Sequence, residues 1–244
     1  MKQEWFEYWF DSKYYHLLYK NRSQDEATQF VEYFVKWAKM KPGDTLLDLA
    51  CGKGRHSLAF SKQGLQVVGV DLSFESIEFA KKFETESLHF FVHDMRRIFR
   101  INYFDIVCNL FTSFGYFPNN NDNRLAAKAI YECLKPQGFF LIDFVNKQFA
   151  LNNIHSTPKE HKQIQGIDFS IERLFQDNQY VKNIQVKDGE HSFHYQERVN
   201  SFELDELKVI FEKEGLKFKQ VFGDYDFGEY DEQKSPRMIL IFEK

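Results

Sequence analysis

The sequence predicts an α/β fold: a mostly parallel sheet with helices on both faces, joined late in the chain by an antiparallel insertion. Three observations predict it. Short apolar runs alternate with amphipathic stretches from residue 23 to 144, the rhythm of right-handed strand–helix–strand crossovers. Those runs are apolar throughout, as strands buried on both faces are. Between 167 and 200 the rhythm breaks into extended segments separated by Asp177-Asn178 and Asp188-Gly189, which are hairpin signals.

Each element has its own signal. Ser23 followed by Glu26 has capping-box spacing, and Phe30, Phe34 and Trp37 then form one helical stripe that Pro42-Gly43 brings to an end. Residues 45–49 are the first strand, 55–62 a helix and 65–70 the second strand. Ser73 caps a helix over 73–82. Strands follow at 89–92 and 104–109, a helix at 122–134 stopping before Pro136, and a fifth strand at 138–144. The insertion holds three strands, 167–175, 180–186 and 192–200. Ile167, Phe169 and Ile171 alternate with Asp168, Ser170 and Glu172, and Phe193 and Tyr195 share a face, so one side of this meander is apolar and must pack on something. A helix at 203–214, a strand at 217–222 and a last strand at 236–242 restore the α/β rhythm. The expected organisation is a single domain over 1–244, with an N-terminal helical lid at 1–40 and a cofactor-binding core at 41–146. The insertion occupies 147–200, and 201–244 complete the sheet.

Composition excludes several function classes. The chain has 244 residues and a net charge of −4, so a broad electrostatic grip on nucleic acid is not expected. No run approaches the ~18 apolar residues of a membrane span, and Met1 to Phe10 carries Glu4 and Glu7, unlike a signal peptide. Three cysteines without metal spacing suit a reducing cytoplasm, so a cytoplasmic location is expected. No histidine pattern suggests a metal site. With only 12 Gly and 5 Pro among 244 residues, low-complexity disorder is excluded as well.

The chemistry-bearing residues lie at strand ends. The first strand runs into Asp48-Leu49-Ala50-Cys51-Gly52-Lys53-Gly54, where two glycines either let a ligand approach the backbone beside a helix N-terminus or only close a tight turn. Asp71 ends the second strand 19 residues after Gly52, the spacing of an acid that holds a ribose diol; it could equally cap the next helix. Ser57 stands where a nicotinamide fingerprint expects its third glycine. The third strand ends in His93-Asp94-Met95-Arg96, an acid and an apolar residue suited to an adenine ring, and the fourth in Cys108-Asn109.

In order and spacing these motifs resemble the class I S-adenosylmethionine-dependent methyltransferases, strongly over 45–144 and by pattern to the C-terminal strands. The resemblance implies a Rossmann-like seven-stranded sheet, mostly parallel, whose last strand inserts antiparallel, with S-adenosyl-L-methionine as cofactor. Ala50 stands where the family often has glycine. By the same resemblance Gly52 and the backbone at Ala50 face the methionine moiety, Asp71 holds the ribose, and Leu72 lies against the adenine. Asp94 and Met95 read the adenine, and Asn109 turns its backbone toward the methionine part. Tyr15 or Arg22, from the aromatic N-terminal segment, is the expected partner of the methionine carboxylate.

The expected activity is transfer of a methyl group to a small-molecule acceptor by direct displacement. Alternatives are an RNA or protein methyltransferase and a non-catalytic cofactor-binding protein on the same fold. No catalytic base is named. Phe114, Tyr116 and Asn146 follow strand ends on the carboxyl side of the sheet, and Arg237 precedes the last strand; these are the acceptor-pocket candidates. The insertion is expected to wall that pocket or, alternatively, to mediate a homodimer.

Overall fold

The computed structural model describes residues 4–20 and 23–244. Three helices open the chain: α1 (Trp5–Phe10), α2 (Lys13–Leu18) and α3 (Gln24–Trp37). Next come β1 (Thr45–Leu49), α4 (Arg55–Lys62), β2 (Gln66–Asp71), α5 (Phe74–Ala80), β3 (Leu88–Val92) and β4 (Phe104–Asn109). Then follow α6 (Asn120–Cys133), β5 (Leu134–Val145) and α7 (Lys147–Ser156). A second sheet is formed by β6 (Lys159–Ile164), β7 (Ile167–Gln176), β8 (Gln179–Asp188) and β9 (His191–Asn200). The chain closes with α8 (Leu204–Glu212), β10 (Lys217–Phe222) and β11 (Arg237–Glu243).

The main sheet has seven strands in the order β10-β11-β5-β4-β1-β2-β3. All neighbours pair in parallel except β11, which runs antiparallel between β10 and β5. Strand order reverses between β1 and β4, and at such a switch point the loops diverge above the carboxyl ends and leave a crevice. Alternate residues of β1 enter two different cores. Leu47 and Leu49 pack with α6 and α8 residues such as Ile130 and Phe211, while Leu46 packs with Phe34, Phe60 and Ile77 from α3, α4 and α5. Serine caps behave as expected: Ser23 and Ser73 each accept a hydrogen bond from the amide three residues on.

The insertion differs from expectation in having four strands. β6 was unforeseen because KEHKQI is a polar edge strand whose side chains are mostly exposed, so no apolar alternation marks it. Its link to β7 is Gln165-Gly166, both with positive φ (54° and 81°), the pair of left-handed residues that a tight hairpin needs. Helix α7 was also unforeseen; it buries none of its residues and so carries no core-facing stripe. The alternation expected in β7 is present. Phe169 and Ile171 join Ile184, Val186 and Tyr195 in a third core.

That core is completed from the N-terminus. Trp9 and Tyr14 of α1 and α2 lie within it, with Trp9 against Tyr195 at 4.6 Å between ring centroids. The apolar face of the insertion is therefore covered by the chain's own first helices. Tyr14 and Lys13 also donate to Asp188, at 2.9 and 3.0 Å, at the far end of β8.

Candidate functional site

A cavity of about 510 Å³ opens above the carboxyl ends of β1, β2 and β3, under the N-terminal helices. Its floor is the turn after β1. Ala50 has φ +59°, a left-handed conformation that a Cβ makes costly by roughly 1–2 kcal/mol. That explains the glycine often found at this place in the pattern. Gly52 follows at φ +56°, and a Cβ built on it meets nothing within 4 Å. Its hydrogens face open space, so the backbone is laid bare to whatever fills the cavity. Gly54 is different. It caps α4 at φ +79°, and a Cβ there would stand 2.5 Å from the Phe90 ring.

The acids around this turn have distinct roles. Asp71 accepts the Gly52 amide at 2.8 Å and the Ser73 amide at 2.9 Å, tying the turn to the end of β2. Burial raises its carboxyl above the usual range, against those amide bonds. The Leu72 amide is turned toward it as well, and a carboxylate with about four acceptor sites still has room for a further donor. Asp48, on β1 itself, is buried and accepts Ser57 Oγ at 2.6 Å, and burial pushes it up to about 6. His16 lines the same cavity. Its Nε2 is buried without a hydrogen-bond partner among the described residues, and burial followed by the Lys53 charge lowers the imidazole to about 4.

At the far end Asp94 is held by Arg96. The guanidinium donates Nε to both oxygens at 3.0 Å and Nη2 to one at 2.6 Å, and the Arg96 amide adds a fourth bond at 2.9 Å. Burial would raise this carboxyl, but the Arg96 bonds outweigh it and hold it below the usual range. Arg96 also reaches Asp122 at 3.2 Å and lies over the Phe117 ring.

A second cavity, about 350 Å³, lies between the main sheet and the insertion. Six residues line both cavities: Phe10, Tyr15, Tyr19, Phe111, Ser113 and Tyr116. They form a mainly aromatic partition, with Phe10 packed on Tyr15 at 4.9 Å and on Tyr116 at 5.3 Å. On the insertion side Glu197 accepts from Trp9 Nε1 and Tyr19 Oη, each at 2.8 Å, and from Lys182 at 2.7 Å. Burial acts to raise Glu197, but the Lys182 charge and these bonds win and lower it. On the main-sheet side Asp143 accepts the Phe111 amide (2.8 Å), Tyr225 Oη (3.0 Å) and Arg237 Nε (2.7 Å), while Arg237 Nη2 donates to Thr112 Oγ1 at 2.8 Å. Phe111 and Thr112 both have positive φ, at 62° and 59°. A buried ion pair thus braces a strained stretch of the wall between the cavities.

Comparison with known proteins agrees with this geometry. The sequence profile of a family described as a methyltransferase domain matches residues 46–138. A crystal structure of an S-adenosylmethionine-dependent methyltransferase from Clostridium acetobutylicum ATCC 824 superposes with a TM-score of 0.78, covering 94% of this chain and 95% of that one at 19% identity. Residues 46–138 thus carry a methyltransferase domain, and the fold is that of a solved S-adenosylmethionine-dependent methyltransferase. YqeM of Bacillus subtilis (strain 168), itself provisionally described as a methyltransferase, is 33% identical over 53% of this chain. The dTDP-3-amino-3,4,6-trideoxy-α-D-glucopyranose N,N-dimethyltransferase of Streptomyces venezuelae is 29% identical over 53% of it. The chain spans 55% and 54% of the lengths of these two curated relatives.

Against this methyltransferase frame the expected cofactor residues divide. Tyr15, Ala50, Gly52, Asp71, Leu72, Asp94 and Met95 all line the first cavity. Asn109 lies behind its wall, fully buried, with Nδ2 donating to the Leu49 carbonyl at 3.1 Å. Arg22 lies outside the described residues. Among the acceptor candidates, Tyr116 lines both cavities and Arg237 the second. Phe114 and Asn146 do not reach either one. Phe114 is core, 1% exposed and packed on Phe202 and Phe211, because the chain turns inward between Ser113 and Gly115. Asn146 pins α7 to the loop before β11, donating to the Glu232 and Ser235 carbonyls.

The residues fit S-adenosylmethionine at the glycine turn and at Asp71: bare backbone at Gly52, an under-compensated carboxylate, and an unsatisfied His16 Nε2 on one cavity. At the Asp94 end an adenine amino group would meet a carboxylate already saturated by Arg96, so one of those bonds must be exchanged. The roles of Arg96, His16, Glu197 and Asp143, the partner of the expected Arg237, escaped sequence reading. Arg96 had a local signal, two residues after Asp94; the others are assembled only by tertiary contact.

Proposed function

We propose that this chain transfers a methyl group from S-adenosylmethionine, held in the first cavity, to a small molecule held in the second. The observation that carries this reading is the shared partition: two cavities meet at one aromatic wall over the switch point of a methyltransferase sheet. The bound cofactor supplies a methyl group already activated on a positively charged sulfur. The protein's part is placement. Gly52 admits the cofactor against the backbone, and Asp71 offers acceptors for the ribose hydroxyls. Phe10, Tyr15 and Tyr116 keep the meeting point dry, where alignment alone can be worth up to ~7–11 kcal/mol.

The acceptor side offers no ready proton acceptor among the groups described above. Glu197 is held ionised and filled with donors, and burial pushes the Tyr180 hydroxyl up to about 12. This favours acceptors that present a lone pair without help. A small-molecule acceptor is supported by the modest size of the second cavity, about 350 Å³, and by the sugar-nucleotide acceptor in the name of the Streptomyces venezuelae relative. Calorimetric titration with S-adenosylmethionine and its demethylated product, S-adenosylhomocysteine, tests the first half of the reading. One site per chain is expected for each; absence of binding by both would overturn it.

A further inference from the structure

We propose that the molecule taken by the second cavity carries an anionic group, a carboxylate or a phosphate, held by Arg173, Lys182 and Arg237. The inference rests on the reading of that cavity as the acceptor site. These three cations line it from β7, β8 and the start of β11. Among the described residues one carboxylate, Glu197, lines it with them. The other carboxylates that pair with these cations stand behind the wall. Asp143, 1% exposed, holds Arg237 from the main sheet, and Glu160 on β6 pairs with Arg173. Neither lines the cavity. Each pair therefore turns its positive end inward, three positive charges against one negative, and a low-dielectric cleft focuses such a field.

The donors are not used up. Arg237 engages Asp143 and Thr112 through Nε and Nη2, and no acceptor among the described residues takes its Nη1. Arg173 donates Nη1 to the Thr157 carbonyl and Nη2 to Glu160, with Nε unengaged among the described residues. Lys182 donates to Tyr19 and Glu197, two of its three hydrogens. Free guanidinium edges suit the planar carboxylate and the phosphate oxygens alike. Glu197 offers little to a cationic group, because Trp9, Tyr19 and Lys182 occupy its oxygens. Ile154, Val181 and Val199 supply an apolar floor for the rest of the molecule.

The test uses the full chain saturated with S-adenosylhomocysteine and four probes of one shape at constant ionic strength: benzoate, phenyl phosphate, benzamide and benzamidine. Calorimetry or saturation-transfer NMR should show benzoate or phenyl phosphate binding at least tenfold more tightly than benzamide. The tighter of the two anions tells whether the group is a carboxylate or a phosphate. Arg173→Gln should cut that preference at least threefold with S-adenosylhomocysteine affinity unchanged; it is preferred to Arg237→Gln, which strands Asp143 and is liable to unfold. Benzamide or benzamidine binding as well as the anions, no binding by any probe, or an intact preference in Arg173→Gln would overturn the proposal. A wild-type chain that fails to bind S-adenosylhomocysteine overturns the methyl-transfer reading instead, and this inference with it.

Discussion

Asp71 shows how one carboxylate can brace the fold and also line the first cavity. Its oxygens take the amides of Gly52 and Ser73 and still face the cavity. Asp71→Ala should weaken S-adenosylhomocysteine binding by about 1.5–3 kcal/mol, the scale of hydrogen bonds to a charged group. It should also lower the melting temperature, because two turn amides lose their acceptor. Calorimetry finding unchanged affinity in a folded variant would contradict the assignment. Asp48 makes a pH prediction. Its carboxyl is raised by burial to about 6 in the folded chain, above its unfolded value of ~3.9. A raised carboxyl contributes stability that is complete below the unfolded value and lost as pH climbs through the folded one. Relative to Asp48→Asn, the wild type should therefore lose up to about 3 kcal/mol of unfolding free energy between pH 4 and pH 7. Parallel denaturation profiles for the two proteins across that range would count against it.

At the scale of elements, what was legible followed from what each segment buries. β1, β2 and β4 enter two cores at once, so their apolar runs stand out in the sequence. β7 alternates because one face meets the third core. β6 and α7 left no such mark, since they bury little of their own. The same logic explains the site. Gly52, Asp71, Asp94 and Met95 sit at fixed offsets from strand ends, and all four line the first cavity. Phe114 and Asn146 also follow strand ends, yet the direction in which the chain leaves the sheet sends them inward. Glu197 could not be found, because its partners Trp9 and Tyr19 lie more than 170 residues away in the chain. That distant contact makes the N-terminal helices part of the insertion's core. Trp9→Ala removes a buried indole and a donor to Glu197, and should cost about 3–5 kcal/mol of stability. Equilibrium denaturation checks this; a variant as stable as wild type would show that α1 merely rests on the second sheet.

At the scale of the molecule, the seven-stranded sheet places one cavity at its switch point, and the insertion with α1 and α2 builds a second beside it. No helix among the described residues is long and apolar enough to cross a membrane, and no cluster of metal-ligating side chains occurs among them. The arrangement of the two cavities is the central claim: cofactor on one side of an aromatic wall, acceptor on the other. Tyr116 stands in that wall and lines both. The most direct measurement supplies S-adenosylmethionine carrying a labelled methyl group, together with a whole-cell extract separated into small-molecule, nucleic-acid and protein fractions. The account predicts label in the small-molecule fraction, dependent on the wild-type chain and strongly reduced by Tyr116→Ala in a folded variant that still binds S-adenosylhomocysteine. Label confined to the nucleic-acid or protein fractions, or none in any fraction, would contradict it.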